Sequence, residues 1–135
     1  MGSSGSKKRR QGTTIENYVS WFEIPAHDLQ RAVAFYNRIY GISMETLEMN
    51  GYAMAFFPAS GGVGGAVVTG EGCLPAQAGT LIYLNGGKDL DQVLGKVEEA
   101  GGRIVMGKTM ISEEAGYFAI FIDSEGNKLA LHSKS

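Results

Sequence analysis

The sequence lacks most of the features that mark secreted, membrane-spanning or nucleic-acid-binding proteins. It has a single cysteine, Cys73, which cannot form a disulfide within the chain. Its longest apolar runs, such as residues 53–58, are far too short to span a bilayer. The formal net charge is -2, and the part expected to fold has no cluster of Lys and Arg that could bind phosphates. We therefore expect a soluble cytoplasmic protein with neither a nucleic-acid nor a membrane partner.

The first 14 residues differ in composition from the rest of the chain. Residues 1–14 are rich in Gly, Ser, Lys and Arg and contain no apolar stretch, so we predict a disordered leader or a remnant of an expression tag. Gly2 followed by the basic residues 7–10 also matches an acylated glycine with a polybasic membrane anchor, and this alternative stays open. Residues 15–135 fit one globular domain, because the chain has 135 residues, of which 44% are hydrophobic.

This domain repeats one pattern of elements twice. Residues 28–41 and 89–101 both begin with an Asp that can cap a helix and end with a Gly that can terminate one. Apolar residues recur at helical spacing in both segments. A short run rich in aromatic and β-branched residues precedes each helix. The predicted strands are residues 18–24, 44–49, 52–58 and 64–69 in the first half and residues 80–85, 103–106, 117–122 and 128–132 in the second.

The order of elements defines two β-α-β-β-β modules, module 1 at about residues 17–70 and module 2 at about residues 79–133. Asn50 and Gly51 predict a tight hairpin in module 1, since both residue types tolerate positive φ. A four-stranded sheet with one helix leaves its other face uncovered, and two such faces can enclose a ligand. We predict an α+β fold in which the two tandem modules form a curved mixed sheet around a central pocket.

Two segments carry a more specific pattern. Residues 22–36 read FEIPAHDLQRAVAFY, and residues 116–127 read GYFAIFIDSEGN. Their D-L-x-R-A-x-x-F-Y and D-x-E-G-N patterns resemble the vicinal oxygen chelate superfamily, which includes glyoxalases, bleomycin-resistance proteins and extradiol dioxygenases. The resemblance implies a two-module fold, often a homodimer, and in the enzymes a divalent metal held by four His, Gln or Glu side chains. It says little about the reaction, because one fold hosts many chemistries.

The resemblance also implies where metal ligands would lie, on the first and last strands of each module. The matching positions are Val19, Leu81 and Ala130, and the fourth falls within residues 66–69, where only the Thr69 hydroxyl is a weak oxygen ligand. None of the first three side chains can bind a metal, since zinc or iron needs imidazole, thiolate or carboxylate. We therefore expect no metal cofactor at the usual site of the family.

Candidate ligand-binding residues follow from the alternation of side chains along a strand. If Val19 faces the pocket, Trp21 and Glu23 face it too, while Phe22 and Ile24 pack under the helix. The same alternation places Tyr83 and Asn85 beside Leu81 on the opening strand of module 2, and Lys128 and His132 beside Ala130 on its closing strand. Aromatic residues here can stack a flat ligand or fill the core. The predicted ligand-binding residues are Trp21, Tyr83, Asn85, Tyr117 and Lys128.

Two side chains are candidate catalytic residues, Glu23 and His132. A carboxylate among aromatic side chains is desolvated, which favours its neutral form and suits it to act as a general base or acid. An imidazole can orient a ligand or move a proton near neutral pH. The alternative for each is a side chain that only meets solvent.

Three functions are consistent with this sequence. The first is a metal-free protein that binds or sequesters a small planar molecule, as the resemblance to bleomycin-resistance proteins implies. The second is a lyase, isomerase or dioxygenase with a displaced metal site, or with acid-base chemistry by Glu23 and His132. The third is a structural or interaction role, in which side chains fill the pocket. The expected partners are a small-molecule ligand and a second copy of the chain.

Overall fold

The computed structural model describes residue 12 and residues 14–135. Nearly all of the segment predicted to be a leader or a membrane anchor lies outside the described residues. No helix among the described residues combines the length and the apolar character needed to cross a membrane. The elements are β1 (Trp21–Pro25), α1 (Leu29–Tyr40), β2 (Glu45–Met49), β3 (Tyr52–Phe56), β4 (Gly64–Thr69), β5 (Tyr83–Asn85), α2 (Leu90–Leu94), β6 (Arg103–Ser112), β7 (Gly116–Ile122) and β8 (Lys128–Ser133).

Both helices begin where their capping residues predict. The Asp28 carboxylate accepts a hydrogen bond from the backbone N–H of Arg31 at 3.1 Å, and Gly41 ends α1 with φ 64°. Asp89 caps α2 in the same way, through the N–H of Asp91. Regular helix stops at Leu94, however, and does not continue to residue 101 as the spacing predicts.

The early end of α2 has a local cause. Gly95 follows the last helical residue, and glycine has a low helix propensity. From there the chain continues in turns, held by short-range bonds such as Val97 N–H to the Leu94 carbonyl at 3.1 Å. The apolar spacing still holds, because Val97 is fully buried.

The strands form two four-stranded sheets with the orders β1-β4-β3-β2 and β5-β8-β7-β6. β1 pairs in parallel with β4, and β5 pairs in parallel with β8. All other pairs are antiparallel. The hairpin between β2 and β3 turns at Asn50 and Gly51, with φ values of 54° and 82°. The predicted α+β fold with two β-α-β-β-β modules is confirmed.

The helix-side faces of the two sheets share one hydrophobic core. Phe35 of α1 stacks on Phe121 of β7 with ring centroids 6.1 Å apart, and α1 also packs against β3, β4 and α2. The opposite face of each sheet, called the outer face below, is exposed: Trp21 is 45% exposed and Tyr83 is 53% exposed. The two sheets meet through their helix-side faces, and the outer faces remain accessible in the single chain.

The two motif segments bond directly to each other across the modules. The side chain of Glu125, in the turn between β7 and β8, accepts hydrogen bonds from the backbone N–H groups of His27 and Asp28 at 2.9 and 2.8 Å. It also forms an ion pair with Arg31, with Nε 2.7 Å from the carboxylate. The acidic residue of D-x-E-G-N thus anchors the start of α1.

Two further bonds complete this junction. The Tyr36 hydroxyl donates to the Asp123 carboxylate at 2.7 Å, and the Asn127 side-chain amide donates to the Pro25 carbonyl at 2.7 Å. Both Asp123 and Asn127 are buried. The residues that carry the family resemblance therefore hold the modules together.

Candidate functional site

A cleft with a volume of about 630 Å³ lies between the modules. We call it the intermodule cleft. Module 1 contributes Val19, Phe22, Tyr40, Ile42 and residues 57–59 and 63–65, and module 2 contributes residues 80–85. No charged residue is among them, so the cleft suits an apolar ligand.

Close packing at Gly65 shapes the wall of the cleft in module 1. A Cβ atom at this position would lie 2.4 Å from atoms of the Phe22 ring, so only glycine lets the ring rest on the backbone of β4. Phe22 in turn packs against Phe57, with ring centroids 5.5 Å apart. Phe57 meets the buried ring of Tyr36 edge-on at 5.3 Å, which ties this wall to the core.

β1 and β5 are edge strands of their sheets, and residues of both line the intermodule cleft. The Tyr40 hydroxyl donates to the Asn85 carbonyl at 2.8 Å, which occupies one acceptor on the β5 edge. Burial raises the pKa of the Tyr40 phenol, so it stays protonated and remains a donor. Asn127 makes the equivalent bond to β1. Each edge is therefore held by one side chain of the opposite module.

The structure brings only some of the predicted site residues to the intermodule cleft. Tyr83 and Asn85 line it. Trp21 lies on the outer face near Gly64, at the margin of the cleft, and its indole N–H donates to Glu23 at 3.2 Å. Glu23 is exposed and lines a second cleft of about 280 Å³ together with Lys128. Within the single chain, Glu23 is therefore not buried among aromatic side chains as the sequence predicts.

The two remaining candidates lie elsewhere on module 2. The half-buried His132 has Nε2 2.6 Å from the Ala115 carbonyl and lines a hollow at the end of β5. Tyr117 faces the helix side, where it packs against the core with the Lys108 ammonium 4.8 Å from its ring centre. Glu23 and His132 thus line separate hollows, and Tyr117 lines none shared with them.

Strand register changes the positions expected to match the family's metal ligands. The Cα partner of Ala130 is Tyr83 rather than Leu81, and Val19 precedes β1. Tyr83, which takes the place of Leu81 opposite Ala130, carries neither an imidazole nor a carboxylate. Within residues 14–135, no three His, Cys, Asp or Glu side chains are grouped so that they could hold a metal. The donors present at these positions do not fit the family's metal.

Among the cleft residues that sequence reasoning missed are the large side chains Phe22, Tyr40, Ile42 and Phe57. Alternation correctly predicts that Phe22 lies on the helix side of β1, since it packs against the core with the 2% exposed Ile24. What alternation cannot reveal is that the cleft opens on this side. The one local signal is Gly41, which ends α1 in the left-handed conformation and places Tyr40 and Ile42 on either side of the turn.

Comparison with known proteins identifies the fold. No protein-family model and no curated protein sequence matches the chain. Among solved structures, a hypothetical protein from S. aureus is 21% identical, with 90% of this chain and 95% of that chain covered and a TM-score of 0.63. A glyoxalase/bleomycin resistance protein from Albidiferax ferrireducens is 15% identical, with 88% and 100% covered and a TM-score of 0.63.

A third similar structure is a mutant of glyoxalase I from Zea mays. It is 19% identical with a TM-score of 0.60, and the match covers 84% of this chain but only 45% of the maize protein. The chain therefore has the fold of glyoxalase and bleomycin-resistance proteins, and the resemblance seen in the two sequence segments is confirmed at the level of the fold. At these identities the likeness does not extend to a reaction.

Proposed function

We propose that this protein binds a small, flat, largely apolar organic molecule in the intermodule cleft without using a metal. The observation that carries the proposal is the cleft lining, which is aromatic and aliphatic and has no charged residue. The volume of about 630 Å³ lies within the range of about 300–1,000 Å³ typical of small-molecule sites. An open cleft of this size also favours binding over a purely structural role.

Sequestration, meaning binding without turnover, is the form of this function that we favour. One similar structure is named a glyoxalase/bleomycin resistance protein, and binding without turnover needs no metal, which agrees with the lack of metal-binding side chains at Val19, Leu81 and Ala130. The alternative is a lyase, isomerase or dioxygenase that uses a displaced metal or the pair Glu23 and His132. Metal analysis of the purified protein separates the two, because a stoichiometric divalent ion would contradict metal-free binding.

We also propose that the protein is a homodimer in the cytoplasm. Both outer faces expose large apolar side chains, and such faces are commonly covered by a partner. A second copy can cover both, since each chain offers the same two faces. The exposed residues are Trp21, Leu47 and Met49 on the first sheet and Tyr83 and Met106 on the second.

A pair of matched variants tests the location of the ligand site. Leu81→Asp introduces a charge into the uncharged cleft, whereas Leu74→Asp introduces the same charge at an exposed position outside it. The neutral fluorophore N-phenyl-1-naphthylamine serves as the probe. We expect Leu81→Asp to weaken probe binding at least about tenfold, the equivalent of 1.4 kcal/mol, while Leu74→Asp leaves it unchanged. Equal affinities in both variants and the wild type would place the site elsewhere.

A further inference from the structure

A polar hollow adjoins the intermodule cleft at the end of β5. It has a volume of about 390 Å³ and shares Tyr83, Leu84 and Asn85 with the cleft. We call it the β5-end hollow. Its other lining residues are Gly87, His132, Ser133 and Lys134, so no carboxylate side chain lines either space. The two spaces therefore adjoin along β5.

The polar groups of the hollow are mostly hydrogen-bond donors. Asn85 Oδ1 accepts the N–H of Gly87 at 2.8 Å, which leaves the side-chain NH₂ without a partner among the described residues. Lys134 donates one hydrogen bond to the Glu114 carbonyl at 2.8 Å and retains two more N–H donors. The hollow thus offers one full positive charge and an amide donor, with no negative side chain to oppose an anion.

We propose that the ligand is an amphipathic organic acid with its apolar body in the intermodule cleft and its carboxylate in the β5-end hollow, beside Lys134 and Asn85. This inference rests on the proposed function and adds the chemical class of the ligand. One ammonium and one neutral amide match a singly charged head, and hydrogen bonds to a charged group are about twice as strong as neutral ones. His132 borders the same hollow, and its Nε2 is already engaged by the Ala115 carbonyl.

A matched pair of probes tests the charge preference. 1-Naphthylacetic acid and 1-naphthylacetamide share the same ring system and differ in the charge of the head group. We expect the wild type to bind the acid about five- to tenfold more tightly than the amide in calorimetric titrations. Lys134→Gln should remove this preference by weakening the binding of the acid to the level of the amide. The control Lys96→Gln, which lines neither space, should retain it.

A second variant makes the test independent of Lys134. Asn85→Asp keeps the size of the side chain but places a negative charge between the two spaces, so it should reverse the preference in favour of the amide. Equal binding of both probes to the wild type would overturn the organic-acid inference and leave the apolar cleft proposal intact. Preference for the acid that survives in Lys134→Gln and Asn85→Asp would also overturn the inference. Failure of both probes to bind a protein that still binds N-phenyl-1-naphthylamine would overturn the organic-acid inference alone, and failure of all three to bind would overturn both proposals.

Discussion

At the scale of single residues, Glu125 is a central contact between the modules. Its side chain is only 1% exposed, although it carries a charge. Burial raises the pKa of Glu125, but the hydrogen bonds from Arg31 and from the Asp28 N–H outweigh it, so the pKa lies below the ordinary value of 4.5. The carboxylate therefore stabilises the fold at neutral pH and loses this contribution as the pH falls below its ordinary pKa.

Replacing Glu125 by Gln tests this assignment. The amide cannot pair with Arg31, so we expect Glu125→Gln to lower the free energy of unfolding by about 2 kcal/mol at pH 7. The difference from the wild type should shrink in urea titrations at pH 3.5, below the ordinary pKa of 4.5, because the carboxyl of the unfolded chain is then protonated while the lowered pKa of Glu125 makes the folded chain resist protonation. Glu99→Gln is the matched control, since Glu99 pairs with Arg38 at 2.8 Å on the surface. A constant difference at both pH values would contradict the account.

At the scale of elements, β4 positions the cleft wall by allowing the Phe22 ring to lie on Gly65. We predict that Gly65→Ala displaces this ring, since the added Cβ would lie 2.4 Å from it. Such overpacking costs about 1–3 kcal/mol of stability, and the displaced ring should also weaken probe binding in the cleft. Unfolding titrations and probe fluorescence measure the two effects.

The control for this variant is Gly107→Ala on β6. A Cβ at Gly107 meets no atom within 4 Å, and its φ is not in the positive range. The Gly107→Ala variant should therefore keep the stability and the probe affinity of the wild type. Wild-type values in Gly65→Ala as well would mean that the Phe22 contact does not shape the cleft.

Elements with local signals were predictable from the sequence. The hairpin at Asn50 and Gly51 and both helix starts lie where turn and cap chemistry places them. Strand β6 runs to Ser112, well beyond the predicted end at residue 106. Its second half is largely exposed and its pairing with β7 shifts register after Met106, so it lacks the regular alternation that marks a strand.

The candidate site was less predictable, because it depends on how the modules meet. Alternation gives the face of each strand, and the exposed Trp21 and buried Ile24 follow it. No local pattern indicates that Tyr40 of module 1 bonds to Asn85 of module 2 at 2.8 Å. That contact joins residues far apart in the sequence, and only the folded chain brings Tyr40 and Tyr83 into one cleft.

At the scale of the whole molecule, the exposed outer faces predict self-association. Sedimentation should show a species of about twice the 14.4 kDa mass of the chain. Leu47→Lys should shift it toward the monomer, because a charge on the outer face opposes burial. Leu74→Lys, at an exposed residue outside both sheets, is the comparison for surface charge alone. A single wild-type species near 14.4 kDa would remove the dimer proposal.

The central claim is the location of the ligand site, and an NMR titration that follows the backbone amide chemical shifts tests it most directly. With N-phenyl-1-naphthylamine, we predict that the largest shift changes occur at residues 80–85 and 63–65, which line the intermodule cleft. Residues 45–49 on the outer edge of the first sheet should change little. Changes confined to that outer strand, or no saturable changes at all, would contradict the account.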